Sequence, residues 1–252
     1  MNAKTTSLAP ANSIRGEWKR FARFLKHPTL PARAPMPSLA SLAAILRLFL
    51  LDLLVMGVLL TIVGAVMSAG IDVPQTALAG MDIEPAIIFA VVIFAPLAEE
   101  VAFRGWLSGR PGHIAGLLLA IPAGLLATGI FAFLTTGTLA QIWLAVPIAL
   151  GAGTLVALAV VYRLRRRRAM GWFQKLFPLF FWLSTICFAS VHLFNFELEQ
   201  MAMALPMILP QFATGTMLGY LRVNYGLWAS IMLHMLHNAA FISLVLLGGG
   251  AA

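Results

Sequence analysis

The sequence predicts an all-α bundle of about seven membrane-spanning helices, preceded by an amphipathic helix at the membrane surface. Three observations predict it. Of the 252 residues, 61% are hydrophobic and 10% charged, with a mean hydropathy of +0.92; a soluble domain is about 45–50% apolar and about 25% charged. Apolar runs near the ~20 residues that cross a bilayer recur at 42–68, 85–107, 114–134, 140–162, 179–196, 201–221 and 226–247. The basic residues, finally, collect on one side of the resulting topology.

Taken in order, the chain opens with Ile14, Trp18, Phe21 and Leu25 at helical spacing, with Arg15, Lys19, Arg20, Arg23 and Lys26 over the remaining surface. That is the pattern of a helix lying on an anionic membrane; a disordered basic tail is the plainer alternative. Pro28, Pro31, Pro35 and Pro37 break this helix from the bundle. Residues 1–40 therefore read as a basic segment and linker, and 41–252 as one transmembrane domain. The basic start has no apolar core with a cleavage site behind it, so no cleavable signal peptide is expected.

With the N-terminus in the cytoplasm, all 17 Lys and Arg fall on cytoplasmic ends and loops, from Lys4 and Arg33 through Arg165–Arg168 to Lys175 and Arg222. The opposite loops carry Asp72, Asp82, Glu84, Glu197 and Glu199 and no base. This positive-inside bias predicts N-in, C-out. The net charge of +8 is then topological and directed at membrane lipids, and nucleic acid is not an expected partner. A lone Cys187 excludes an intramolecular disulfide. No internal repeat, low-complexity tract or glycine-rich phosphate loop is present. Short loops and Ala/Gly-rich helices suggest a bacterial inner membrane.

Ionisable residues inside the apolar runs matter most, because a charge at a helix centre costs roughly 2.5–3.5 kcal/mol even on a lenient scale. They occur as Glu99-Glu100 with Arg104, as Phe188 with His192, and as His234 with Asn238. Glu100 and Arg104 stand four apart, acid first, the better order for a helical ion pair. Glu99 is rotated about 100° away, which leaves it facing a cavity as a general base. The plainer reading is that both carboxylates only brace helices.

His234 and Asn238 share one face of the seventh helix, where a neutral imidazole N–H and an amide N–H can form an oxyanion hole. His192 can orient a water beside Glu99, although a lone intramembrane His is commonly a packing residue. His237, about 60° from His234, reads as packing or support. Asp52 is explained by neither reading; it reaches Arg47 or lines the cavity. Together these groups form a hydrolase set: Glu99 and His192 activate a water that attacks a peptide carbonyl. No Gly-x-Ser-x-Gly elbow is present, and Cys187 reads as packing.

The fifth span poses a depth problem. Begun at Trp172, it carries His192 to the outer surface, whereas Glu99 and His234 lie roughly 9–12 Å from their cytoplasmic ends. Pro178 suggests instead that 172–177 lies in the interface and the helix starts near Leu179. His192 is then about 18–20 Å deep, with irregular backbone over 193–200, tolerated only beside protein or water.

Glu-Glu-Val-Ala-Phe-Arg-Gly (99–105), Phe-Ala-Ser-Val-His (188–192) and His-Met-Leu-His-Asn (234–238) resemble, in order and spacing, the three motifs of the CAAX-protease and bacteriocin-processing (abortive-infection) family. That family includes the type II CAAX prenyl endopeptidases, and the resemblance covers roughly residues 85–245. It implies a helix bundle with a cytosol-facing cavity, and cleavage near the C-terminus of a lipid-anchored or membrane-embedded peptide. Glu99 would be the base, His192 its partner, and His234 and Asn238 the oxyanion donors, with Glu100, Arg104 and Phe188 in support.

The family has also been described as metalloproteases, and Glu99, Glu100, His192 and His234 can be read as zinc ligands. A zinc protease helix usually carries two His at i and i+4; here the i+4 partner of His234 is Asn238. No cofactor is therefore expected, with zinc the alternative. Two other functions compete: a non-catalytic peptide-binding or immunity protein of the same fold, and a proton-coupled transporter. No paired broken helices favour the transporter.

Overall fold

The computed structural model describes residues 11–32, 34–76, 82–135 and 139–249, with backbone only for 139–143 and 249. Lys4, Arg33 and the first ten residues of the N-terminal segment lie outside them. The described residues form helices and no strand. The α-helices are α1 (Ile14–Lys26), α2 (Leu39–Ser68), α3 (Pro85–Phe89), α4 (Ala95–Glu99), α5 (Pro111–Leu134) and α6 (Leu139–Arg163). The second half of the chain adds α7 (Gly171–Lys175), α8 (Phe177–Val191), α9 (Met201–Ala204), α10 (Leu209–Asn224) and α11 (Leu227–Gly249). Seven stretches among the described residues are long and apolar enough to cross a membrane, and the chain is an all-α polytopic bundle.

Three spans depart from regular helix. In Pro85–Ser108, π-helical turns at Ala90–Phe94 and Glu100–Arg104 flank α4, and a 3₁₀ turn at Gly105–Ser108 ends the span. The sixth span is not continuous over 201–221. It starts as 3₁₀ turns and the four-residue α9, because Pro206 and Pro210 lack the N–H that a helix interior needs, and only α10 is regular. The fifth span breaks at Leu176, and α8 begins at Phe177, two residues before the expected start, with Pro178 in its first turn.

The chain divides into two compact units, Ser108–Lys175 and the remainder. In the smaller, α5 and α6 run antiparallel at close range. A Cβ on Gly124 would lie 2.7 Å from the Ala149 carbonyl oxygen, and one on Gly153 2.8 Å from that of Ala120. Small residues thus let the backbones approach, as helices in lipid do.

In the larger unit α10 is the axis: every residue from Thr214 to Asn224 is buried, with α1, α2, α8 and α11 packed on it. A Cβ at Gly219 would come within 2.7 Å of the Phe181 ring, so glycine is what admits α8. The apolar face of α1 is occupied by protein. Phe21 and Phe24 meet the Tyr220 ring edge-on at 5.5 and 5.2 Å. The buried stripe is Glu17, Phe21 and Phe24, while Ile14 is exposed. This stripe is rotated from the Ile14–Trp18–Phe21–Leu25 face because Glu17 has partners inside: the hydroxyls of Tyr220 and Tyr225 each donate to its Oε1 at 2.7 Å. Trp18 Nε1 donates to the Arg47 carbonyl at 2.7 Å, and Arg47 in turn donates to the carbonyl of Ala11. The helix is therefore stitched to α2 across the proline linker.

Candidate active site

Glu99 ends α4 and Glu100 opens the next π turn. Their environments differ. Glu100 is fully buried and accepts from Arg104 Nη1 at 2.8 Å, from His234 Nδ1 at 3.1 Å and from the Ser230 hydroxyl. A buried charge needs such partners. The side chain of Glu99 is 29% exposed; its Oε2 has no hydrogen-bond partner among the described residues and stands 3.7 Å from His234 Nε2. Glu100 is committed; Glu99 is not.

Arg104 lies face-on to Phe188, its guanidinium carbon 3.7 Å from the ring centroid. Gly215 makes room for both, since a Cβ there would lie 3.0 Å from Phe188 Cδ1 and 3.2 Å from Arg104 Nη2. Arg222 on α10 donates to the carbonyls of Arg104 and Gly105 at 2.8 and 2.9 Å, where a cation suits the negative end of a helix.

Phe188 also gathers the two imidazoles. Its ring meets those of His192 and His234 edge-on, at 4.9 and 5.5 Å between centroids. The depth problem is thereby resolved: α8 stops at Val191, and His192 opens a 3₁₀ turn beside the same ring as His234. Half-buried His192 is oriented by Nδ1–H donating to the Phe188 carbonyl at 2.8 Å, which leaves Nε2 with its lone pair.

On α11, Ser230, His234 and Asn238 recur every four residues on one face. With the Nδ1 proton of His234 directed to Glu100, a neutral ring has only a lone pair at Nε2, not the N–H expected of an oxyanion donor. Donation from Nε2 requires the imidazolium. Asn238 Nδ2 donates one proton to the Val91 carbonyl at 2.8 Å and keeps the second.

Asp52 does not reach Arg47; five residues along a helix diverge by about 140°. It is fully buried and accepts from Thr214 Oγ1 and His237 Nδ1, both at 2.7 Å. His237 is thus a tie from α11 to α2, beside the two motif residues. Sequence reasoning missed Ser230, Thr214 and the Asp52–His237 pairing. Ser230 carried a usable signal, standing four residues before His234. Cys187 is an exposed free thiol.

The description that matches this chain is "Type II CAAX prenyl endopeptidase Rce1-like", over residues 161–240. The match takes in Phe188, His192, His234 and Asn238, and Glu99–Arg104 lies before it. No curated protein and no solved structure matches. Over residues 161–240 the chain is thus similar to the type II CAAX prenyl endopeptidases, a family of intramembrane peptide hydrolases.

Proposed function

We propose that this integral membrane protein is an endopeptidase that cuts near the C-terminus of a lipid-anchored or membrane-embedded peptide by a glutamate-activated water. The observation that carries the reading is the contrast between adjacent carboxylates: Glu100 saturated by Arg104, Ser230 and His234, and Glu99 partly exposed with a free oxygen. Glu99 takes a proton from water, and His192 Nε2 orients that water. The hydroxide adds to the scissile carbonyl, and the second amide N–H of Asn238 receives the oxyanion, with His234 beside it. Glu99 then passes the proton to the leaving amine. The positive-inside pattern orients the protein N-in, C-out.

The donor set favours a metal-free site. Both oxygens of Glu100 are occupied by Arg104, His234 and Ser230, and the i+4 partner of His234 is Asn238, a poor zinc ligand. The test is cleavage of a quenched prenylated C-terminal peptide by detergent-purified protein, beside Glu99→Ala, with and without a zinc chelator. Cleavage by the wild type alone, unaffected by chelator, supports the glutamate mechanism. Loss with chelator and return with added zinc sinks the metal-free reading. Specific binding of lipidated peptides without cleavage by either protein supports the non-catalytic alternative.

A further inference from the structure

The span that carries Glu99 holds a proline, Pro96, one turn before it, buried and outside the sequence motifs. Its consequence lies upstream. In the π turn Ala90–Phe94 the Ala95 N–H bonds back to the Ala90 carbonyl, five residues away. The Val91 carbonyl loses its ordinary i+4 donor to that bond, and its i+5 donor is missing because residue 96 is proline. A backbone carbonyl left bare in a membrane bundle must find a partner elsewhere. It finds Asn238, whose Nδ2 donates to it at 2.8 Å.

We propose that Pro96 is a positioning residue for Asn238. By denying Val91 an internal donor, it creates the acceptor that fixes the Asn238 carboxamide, and the second N–H is then aimed by the planarity of the amide. The inference rests on the peptidase reading for its effect on rate, but not for the contact itself. Pro96→Ala restores an N–H at the i+5 position, so Val91 and Asn238 no longer need each other.

The test is Pro96→Ala beside Asn238→Ala and the double variant. Three readouts are taken: peptide cleavage, thermal unfolding in detergent, and the side-chain amide signal of Asn238 in ¹⁵N-Asn-labelled protein, assigned by its absence in Asn238→Ala. The expected result is a split. Pro96→Ala is as stable as the wild type or more so, kcat falls about tenfold with KM within twofold, and the double variant is no slower than Asn238→Ala. The Asn238 amide protons shift toward their unbonded position. A purely structural proline would lower stability and leave that signal in place.

Wild-type kcat in Pro96→Ala, multiplying losses in the double variant, or a Pro96→Ala protein that fails to fold would each overturn the proposal. If the wild type cuts no peptide, the amide signal decides alone. A shifted signal then upholds the contact while the peptidase reading falls, and an unmoved one overturns the contact.

Discussion

The guanidinium of Arg104 rests on the ring of Phe188 at 3.7 Å, and neither side chain reaches solvent. The same ring is the edge contact of His192 and His234, so one apolar side chain sets the spacing of three polar ones. A cation over an aromatic face is worth about 2 kcal/mol when desolvated. Phe188→Leu fills most of the volume but offers no face. It should lower unfolding stability by about 2 kcal/mol and cut kcat more than KM, read by thermal unfolding and steady-state cleavage. An unchanged kcat would show that Phe188 does not set the spacing that catalysis needs.

Glu99 and Glu100 should separate stability from activity. Glu99→Gln removes a base with no hydrogen bond to lose, so stability should change by less than about 1 kcal/mol while cleavage falls about 10²–10⁴-fold. Glu100→Gln strips Arg104 of its counter-charge in a dry site, which should cost about 3–5 kcal/mol. Denaturation in detergent decides it: equal stability losses in the two variants would contradict this division.

Burial, with the hydrogen bond to Glu17, pushes the Tyr225 phenol above its ordinary range. The folded state therefore holds the proton more tightly than the unfolded chain. That contribution is complete below the unfolded pKa of about 10 and is lost as pH climbs from there through the folded value. Melting temperatures taken from pH 8 to 11 should fall more steeply at the alkaline end for the wild type than for Tyr225→Phe. Parallel curves would mean that Tyr225 is not linked to folding.

Asp52 and His237 are tied together, yet deleting each should cost differently. Asp52→Ala leaves two neutral donors, on Thr214 and His237, at about 1–3 kcal/mol. His237→Ala leaves a buried carboxylate with Thr214 alone, at about 3–5 kcal/mol. Urea or thermal unfolding should rank His237→Ala as the less stable; the reverse order would show that His237 is not the partner Asp52 depends on.

What could be read from the chain followed local periodicity. The spans were legible from runs of apolar residues, and the Glu100–Arg104 pair from its i, i+4 spacing, because both are properties of one helix. Glu17 was not, since among Arg15, Lys19 and Arg20 it looks like one more solvated charge; only the arrival of Tyr220 and Tyr225 from the far end of the chain makes its burial possible. Asp52 stood out as a costly charge, but its partners lie 162 and 185 residues on, beyond any periodic signal. The broken sixth span went unread, although Pro206 and Pro210 stood in the sequence to signal it. The π turns were not, for Pro96 marks a disturbed ladder without saying which carbonyl is released.

Because α10 is enclosed by protein, its composition answers to side-chain partners rather than to lipid. The span Leu198–Asn224 has a mean hydropathy of only 1.3, against 2.2–2.5 for the first four spans, and it carries Arg222. Such a segment, low in hydropathy over its whole length, is a poor client for one-at-a-time delivery into the bilayer. Its entry during biogenesis is a joint event with the neighbours that receive it. A nascent chain ending near Tyr225 would leave α10 outside the bilayer, and synthesis of α11 would draw it in.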